Sequence, residues 1–103
     1  MVFIEFKGFL SFLILHELRY KSLAGEDLAK KIGRRKGSTL TPGTIYPALK
    51  KLRENGYVAF EKNGRRKVYS LTDKGLNELE EQYKLFSRYF YGLKKQIRKD
   101  RGS

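Results

Sequence analysis

The stretch of residues 41–72 constrains the fold most, because it joins a helix with a defined start to a hairpin with a defined turn. Thr41 suits the N-cap of a helix, and Pro42 suits its first position, where a backbone N–H is not needed. Apolar residues at spacings of four and three then form an inner stripe: Ile45, Leu49 and Leu52. We expect this amphipathic helix to end at Gly56.

The same helix contains Pro47, which lacks the N–H that a regular turn uses. Either the first turn is distorted, or the regular helix begins nearer Thr44. On the side opposite the apolar stripe, helical spacing places a polar and basic set: Gly43, Thr44, Tyr46, Pro47, Lys50 and Lys51. This side is therefore expected to face solvent or a ligand.

A β-hairpin is predicted after the helix. Two β-prone runs, residues 57–62 and 65–71, flank the pair Asn63-Gly64, which is a strong signal for a two-residue turn. A turn at this pair sets Val58 opposite Tyr69. Basic residues then lie at the exposed tip of the hairpin.

Two helices are predicted before this stretch. Residues 5–19 are apolar on nearly every side, so that helix must be buried on more than one side. Because a domain of this size rarely encloses a helix alone, we expect one of its faces to meet a partner subunit. A second helix is expected over residues 23–33.

A long helix is predicted at the end of the chain. Thr72 can cap it, and its apolar residues follow a heptad pattern: Leu76, Leu79, Tyr83, Phe86, Phe90, Leu93 and Ile97. About 25 residues give a helix of about 37 Å, which is longer than one small domain needs. We therefore predict that it packs on a second subunit, with these interface residues: Phe6, Phe9, Tyr83, Phe86, Phe90, Leu93 and Ile97.

The predicted order of elements, α-α-α-β-β-α, is that of a winged helix. The fold class is mainly α with a small β-hairpin: a winged helix-turn-helix over residues 1–75, followed by a long dimerisation helix and a basic tail over residues 76–103. In this arrangement the third helix enters a DNA groove and the hairpin is the wing.

The charge distribution supports nucleic acid as the partner. Residues 30–67 carry twelve Lys or Arg and two acids, a net charge of +10, whereas the whole chain has +12. Lysine and arginine neutralise phosphates, and Thr and Tyr can contact phosphates or base edges. The candidate DNA-binding residues lie on the third helix, the wing and the loop between the second and third helices: Thr41, Thr44, Tyr46, Lys50, Lys51, Arg65, Arg66, Lys67, Arg34 and Arg35.

Other interpretations of these charges stay open. Lysines on an exposed helix face are often only solvated, and a charged edge hairpin can serve to prevent sheet aggregation. A winged helix can also be a protein-interaction module for an acidic partner, or a non-specific chromatin-like DNA-binding protein. The aromatic residues of the last helix could line a pocket for a small-molecule effector, although aromatic residues at heptad spacing more often form interface core.

The composition points away from enzymes and metal proteins. The chain has no Cys and a single His, His16, and no set of residues suggests a catalytic centre, a metal site or a cofactor. The uncharged run of residues 8–15 is far shorter than the roughly 20 residues that span a bilayer. We expect a cytoplasmic, nucleoid-associated protein with no membrane partner.

Two blocks of the chain resemble the PadR family of transcriptional regulators: GTIYPALKKLRENG over residues 43–56 and GRRKVYSLTDKG over residues 64–75. The resemblance implies a dimeric, DNA-binding repressor. We predict a homodimer, and the two-fold symmetry of such a dimer predicts a palindromic operator. The resemblance also implies that the C-terminal helix pairs with helices of the partner, including the first. By this likeness, Thr44, Tyr46 and Lys50 lie at the groove and residues 65–67 at the wing.

The length of the chain resembles that of the short subgroup of this family, which has a single C-terminal helix. Some members of that subgroup hold planar drugs between tryptophans at the dimer interface. This chain has no Trp, so the same mode of effector binding is not expected here.

Overall fold

The computed structural model describes the backbone of residues 6–34 and 37–102, and the side chains of residues 8–34 and 37–91. The elements are α1 (Phe6–Tyr20), β1 (Leu23–Ala24), α2 (Gly25–Arg34), α3 (Pro42–Glu54), β2 (Val58–Asn63), β3 (Arg66–Leu71) and α4 (Asp73–Gly102). The strands form one antiparallel sheet in the order β1-β3-β2. The predicted winged helix is confirmed, and β1 is an addition to it.

Strand β1 corrects the predicted start of the second helix. Leu23 and Ala24 pair with Tyr69 and Val68 of β3 instead of forming the first turn of α2, which begins at Gly25. Both residues are buried. Pairing with β3 satisfies backbone groups that would otherwise be buried without partners between the two helices.

Helix α1 lies at the centre of the core. Five of its apolar residues are buried: Leu10, Leu13, Ile14, Leu15 and Leu18. The elements that pack against it are α2, α3, β3 and α4 of the same chain. The prediction that α1 is buried on more than one side is therefore confirmed, and much of its cover comes from within the chain.

Helix α3 presents its apolar stripe to this core, because Ile45, Leu49 and Leu52 are all buried. Thr41 occupies the N-cap position, and its carbonyl accepts the backbone N–H of Thr44 and of Ile45. Its hydroxyl makes no bond to a backbone amide. The side-chain cap that the sequence predicts is therefore absent at this position.

Pro47 lies inside α3, which begins at Pro42 and not nearer Thr44. The carbonyl that loses its hydrogen bond is that of Gly43, four residues before Pro47. Both residues are exposed. The missing hydrogen bond therefore lies on the solvent side of the helix. Water can hydrate the Gly43 carbonyl there, so the missing bond destabilises the helix little.

The hairpin differs from the predicted register by two residues. Phe60 pairs with Tyr69, and Asn63 with Arg66, so the two turn residues are Gly64 and Arg65. Gly64 has a φ of 66°, and a glycine with positive φ at the first central position is typical of a type II′ hairpin turn. Because a shift of two residues keeps each side chain on its face, Val58 and Tyr69 are still buried as predicted.

Helix α4 begins as predicted, since the backbone N–H of Gly75 donates to Oγ1 of Thr72 at 3.0 Å. Its 30 residues correspond to about 45 Å. Its first half packs on α1, with Leu79 fully buried and the rings of Phe86 and Phe12 4.4 Å apart between centroids. Among the described residues, none of the helices combines the length and the hydropathy of a transmembrane span.

Candidate nucleic-acid interface

The outer side of α3 is a surface of polar and basic side chains. Tyr46, Lys50 and Lys51 are exposed, and Thr44 is half-buried. Neither lysine has an acidic group within 4 Å among the residues that the structure describes. The hydroxyl of Thr44 bonds that of Thr41 at 3.0 Å. This surface therefore offers hydroxyl groups and uncompensated positive charge on a helix whose other side is anchored in the core.

The ring of Tyr46 lies over the start of α2. A β-carbon added to Gly25 would lie 2.7 Å from Cε1 of Tyr46, closer than such atoms approach in proteins. Glycine at position 25 therefore lets the ring rest on the α2 backbone. Tyr46 is 40% exposed, so its ring stays accessible to a ligand from the outer side of α3.

The buried side chain of Tyr69 on β3 lies close enough to α3 for Arg53 and Tyr46 to influence the pKa of its hydroxyl. Burial raises the pKa of the Tyr69 hydroxyl, and the nearby guanidinium of Arg53 opposes that rise. The hydroxyl is therefore neutral at physiological pH. It contributes a neutral polar group, and no negative charge, beneath the basic surface.

The wing has two chemically different faces. On one face, the Phe60 ring has Cζ of Arg53 at 5.1 Å and Nζ of Lys67 at 4.9 Å from its centroid. On the other face, Arg66 forms ion pairs with two acids at the start of α2, Glu26 and Asp27. The sequence predicts DNA contact for both Arg66 and Lys67, but the structure places them in different surroundings.

The remaining predicted basic residues lie in the hairpin turn and at the end of α2. Arg65 lies exposed in the turn at the tip of the wing. Arg34, which was predicted in the loop between the second and third helices, is instead the last residue of α2, where it is exposed. Arg35, which was also predicted to contact DNA, lies outside the described residues. In the described part of the chain, no group of three or more His, Cys, Asp or Glu side chains could hold a metal ion.

The Transcriptional regulator PadR-like family matches residues 14–81, which include α2, α3, the wing and the start of α4. This chain belongs to that family. The resemblance seen in residues 43–56 and 64–75 is therefore confirmed, and the protein is a PadR-like transcriptional regulator.

Solved structures share the fold of this PadR-like protein. A PadR family transcription regulator from Clostridium difficile is 30% identical, with a TM-score of 0.73 over 87% of this chain and 98% of that one. A transcriptional regulator from Clostridium thermocellum has a TM-score of 0.76 over 90% of this chain and 97% of that one. At 20% identity, the second likeness concerns the fold alone.

Among curated proteins, the transcriptional activator GvpE1 of Halobacterium salinarum is 41% identical over 49 residues. These residues are 48% of this chain and 26% of the relative. The transcriptional activator GvpE of Haloferax mediterranei is 39% identical over the same length. The chain thus spans about a quarter of the length of the curated relatives it matches.

Two basic residues beside this surface were not among the predicted DNA contacts, Arg53 and Lys62. The spacing of Tyr46, Lys50 and Arg53 by four and three places Arg53 on the outer side of α3, and Lys62 lies opposite Lys67 in the wing. The ion pairs of Arg66 had no sequence signal, because Glu26 and Asp27 are about 40 residues away along the chain. The sequence shows which residues are basic, but not which of them already have partners.

The residues predicted for a dimer interface lie in two settings. Phe9, Tyr83 and Phe86 are half-buried between α1 and α4, and the hydroxyl of Tyr83 lies 2.6 Å from Nδ1 of His16. Phe90 is 44% exposed. The side chains of Phe6, Leu93 and Ile97 lie outside the described residues, so the interface stays a prediction.

Proposed function

We propose that this protein binds double-stranded DNA sequence-specifically as a homodimer and represses transcription from a palindromic operator. The observation that carries the proposal is the outer side of α3, where exposed Tyr46, Lys50 and Lys51 stand on a helix anchored by buried apolar residues. A rigid helix with free cations is what insertion into a major groove requires. A DNA-binding repressor of this kind acts in the cytoplasm, at the nucleoid.

The exposed apolar strip of α4 supports the homodimer. Four large side chains there lie between 43% and 65% exposed: Leu85, Tyr89, Phe90 and Tyr91. They begin where α4 still packs against α1 through Phe86 and extend toward its second half. Large apolar side chains left exposed in one stretch of a helix are typical of an interaction site, and a second copy of α4 presents the same group.

Two-fold symmetry then dictates the form of the operator. Two α3 helices related by a dimer axis meet successive major grooves, with half-sites about 34 Å or 10–10.5 bp apart. Footprinting on DNA upstream of the protein's own gene should show two protected half-sites at this spacing. A protected span without internal symmetry would contradict the palindromic operator, and equal affinity for random duplexes would indicate a non-specific DNA-binding protein.

The contribution of α3 is tested by Lys50→Ala, with Lys84→Ala as the matched control. Both substitutions remove one exposed positive charge, but Lys84 lies on α4 and pairs with Glu81 at 3.3 Å. Gel shifts should show weaker operator binding for Lys50→Ala and nearly unchanged binding for Lys84→Ala. Equal weakening by both would mean that only overall charge matters and that α3 does not enter the groove.

The direction of regulation needs its own measurement, because the curated relatives are named as activators. A reporter gene with the footprinted site at its natural position should be expressed more strongly when the regulator is deleted. Lower expression in the deletion strain would identify an activator. Neither result bears on the proposed DNA-binding surface, which the binding experiments above test separately.

A further inference from the structure

We propose that the two faces of the wing have different roles in DNA binding. The face around Phe60 binds a phosphate of the DNA backbone through Arg53, Lys62 and Lys67. Arg66, on the other face, is a positioning residue that holds the wing against α2. The inference rests on the proposed function, since it assigns which wing residues meet the DNA.

The separation of the faces follows from strand geometry. Arg66 and Lys67 are neighbours on β3, and neighbouring side chains on a strand point to opposite faces of the sheet. Lys67 therefore shares a face with Tyr69, and with Phe60, which pairs with Tyr69 across the strands. Two adjacent basic residues of similar exposure thus face different neighbours.

The Phe60 face carries three cations, and no carboxylate among the described residues pairs with them. Lys62 and Lys67 are paired directly opposite in the register, and like charges in that relation repel. Arg53 and Lys67 both lie within 5.1 Å of the Phe60 ring centroid, and such packing holds a cation in place. Across the described part of the chain, none of the three has a carboxylate within 4 Å.

A phosphate placed among these cations would relieve their repulsion. Arg53 shares its side of α3 with Tyr46 and Lys50, so the Phe60 face continues the surface that is proposed to enter the groove. The ligand that lies beside a helix in a DNA groove is the sugar-phosphate backbone. The site therefore fits a backbone phosphodiester next to the base pairs that α3 would read.

The surroundings of Arg66 are acidic, in contrast to the basic Phe60 face. Its Nε lies 2.8 Å from Oε1 of Glu26, and its Nη2 donates to Oδ2 of Asp27 at 2.7 Å. One guanidinium facing two carboxylates leaves a local net charge of −1, which repels phosphate. The same two bonds join β3 to the first turn of α2, so they set the position of the wing relative to the helix-turn-helix.

Arg66→Gln and Lys67→Gln form a matched test, because each removes one positive charge at adjacent positions. Operator affinity of the full chain is measured against salt concentration. Lys67→Gln and Lys62→Gln should each lower the salt slope by about one per protomer, or about two for the proposed dimer, and weaken binding about 30-fold at 0.15 M salt, because each protomer loses one phosphate contact. Arg66→Gln should leave the slope unchanged. It should also speed amide hydrogen exchange in the wing, which Lys67→Gln should not do.

Three outcomes would overturn the assignment or its basis. A slope that falls as much in Arg66→Gln as in Lys67→Gln would show that Arg66 contacts phosphate. Unchanged slopes in both Lys62→Gln and Lys67→Gln would show that the Phe60 face binds none. Equal affinity of the unaltered protein for operator and random duplex would overturn the proposed sequence-specific function, while the slopes on random duplex would still decide between the two faces.

Discussion

Helix α1 and the second half of α4 are both rich in apolar residues, yet they have opposite surroundings. In α1, Ile14 and Leu15 are fully buried by other elements of the same chain. In α4, burial falls along the helix, from Leu79 at 0% exposed to Phe90 at 44%. A helix rich in apolar residues must therefore be buried against other elements. Its sequence pattern does not show whether those elements belong to the same chain or to a second subunit.

The largest expected effect concerns the exposed strip of α4. In Phe90→Lys, a charge would be placed in the apolar seam of the proposed dimer. An unpaired charge buried at an interface is unfavourable by about 3–5 kcal/mol, which raises the dissociation constant at least about 100-fold. Sedimentation equilibrium should show monomers at concentrations where the unaltered protein is dimeric. A dimer that survives this substitution would mean that the strip is not the interface.

Leu15→Ala and Leu85→Ala test the comparison between α1 and α4, because the same substitution is made at a buried and at an exposed site. Leu15 is 0% and Leu85 48% exposed. Removing a fully buried leucine side chain lowers the free energy of unfolding by about 2–5 kcal/mol. The exposed site should lose less than about 1 kcal/mol. Urea unfolding in the Phe90→Lys background, where subunit dissociation does not contribute, would measure both. Equal losses would show that the strip is covered within one chain.

A smaller effect is expected where α4 meets α1. Tyr83→Phe removes the hydroxyl that lies 2.6 Å from Nδ1 of His16, and such a hydrogen bond contributes about 0.5–1.5 kcal/mol to stability. Tyr89→Phe is the matched control on the exposed strip and should leave the free energy of unfolding nearly unchanged in the Phe90→Lys background. If the control loses as much stability as Tyr83→Phe, the hydroxyl bond is not the cause.

The smallest expected effect on stability concerns the buried hydroxyl of Tyr69 at high pH. Burial raises the pKa of Tyr69 above its ordinary value of 10.0. As pH rises past 10.0, the unfolded chain loses this proton while the folded chain keeps it, so stability falls. Below that pH the hydroxyl is neutral in both states. Urea unfolding at pH 8 and pH 10.5 should therefore show a smaller difference in Tyr69→Phe than in the unaltered chain.

Much of the fold could be predicted from local patterns. The stripe of Ile45, Leu49 and Leu52 identified α3, and Thr72 identified the start of α4. Strand β1 was not predicted, because two residues carry no periodicity and their pairing with Tyr69 and Val68 depends on a strand that lies over 40 positions later. The hairpin turn was placed one residue early, since both Asn63-Gly64 and Gly64-Arg65 offer a glycine.

Part of the candidate site could also be predicted. The basic, exposed side of α3 follows from helical spacing, and Lys50 and Lys51 lie where that spacing places them. The wing could not be resolved into its two faces, because the partners of Arg66 and Lys67 come from α2 and β2. Arg66 and Lys67 each carry one positive charge, but their contacts differ.

The family, the long helices and the location of the basic region can be recognised from residue types a few positions apart along the chain. The strand register, the ion pairs of Arg66 and the point along α4 where burial within the chain ends became known only from the folded structure. These features depend on distances between side chains that are remote along the chain. Such distances are set when the helices and the sheet pack around α1.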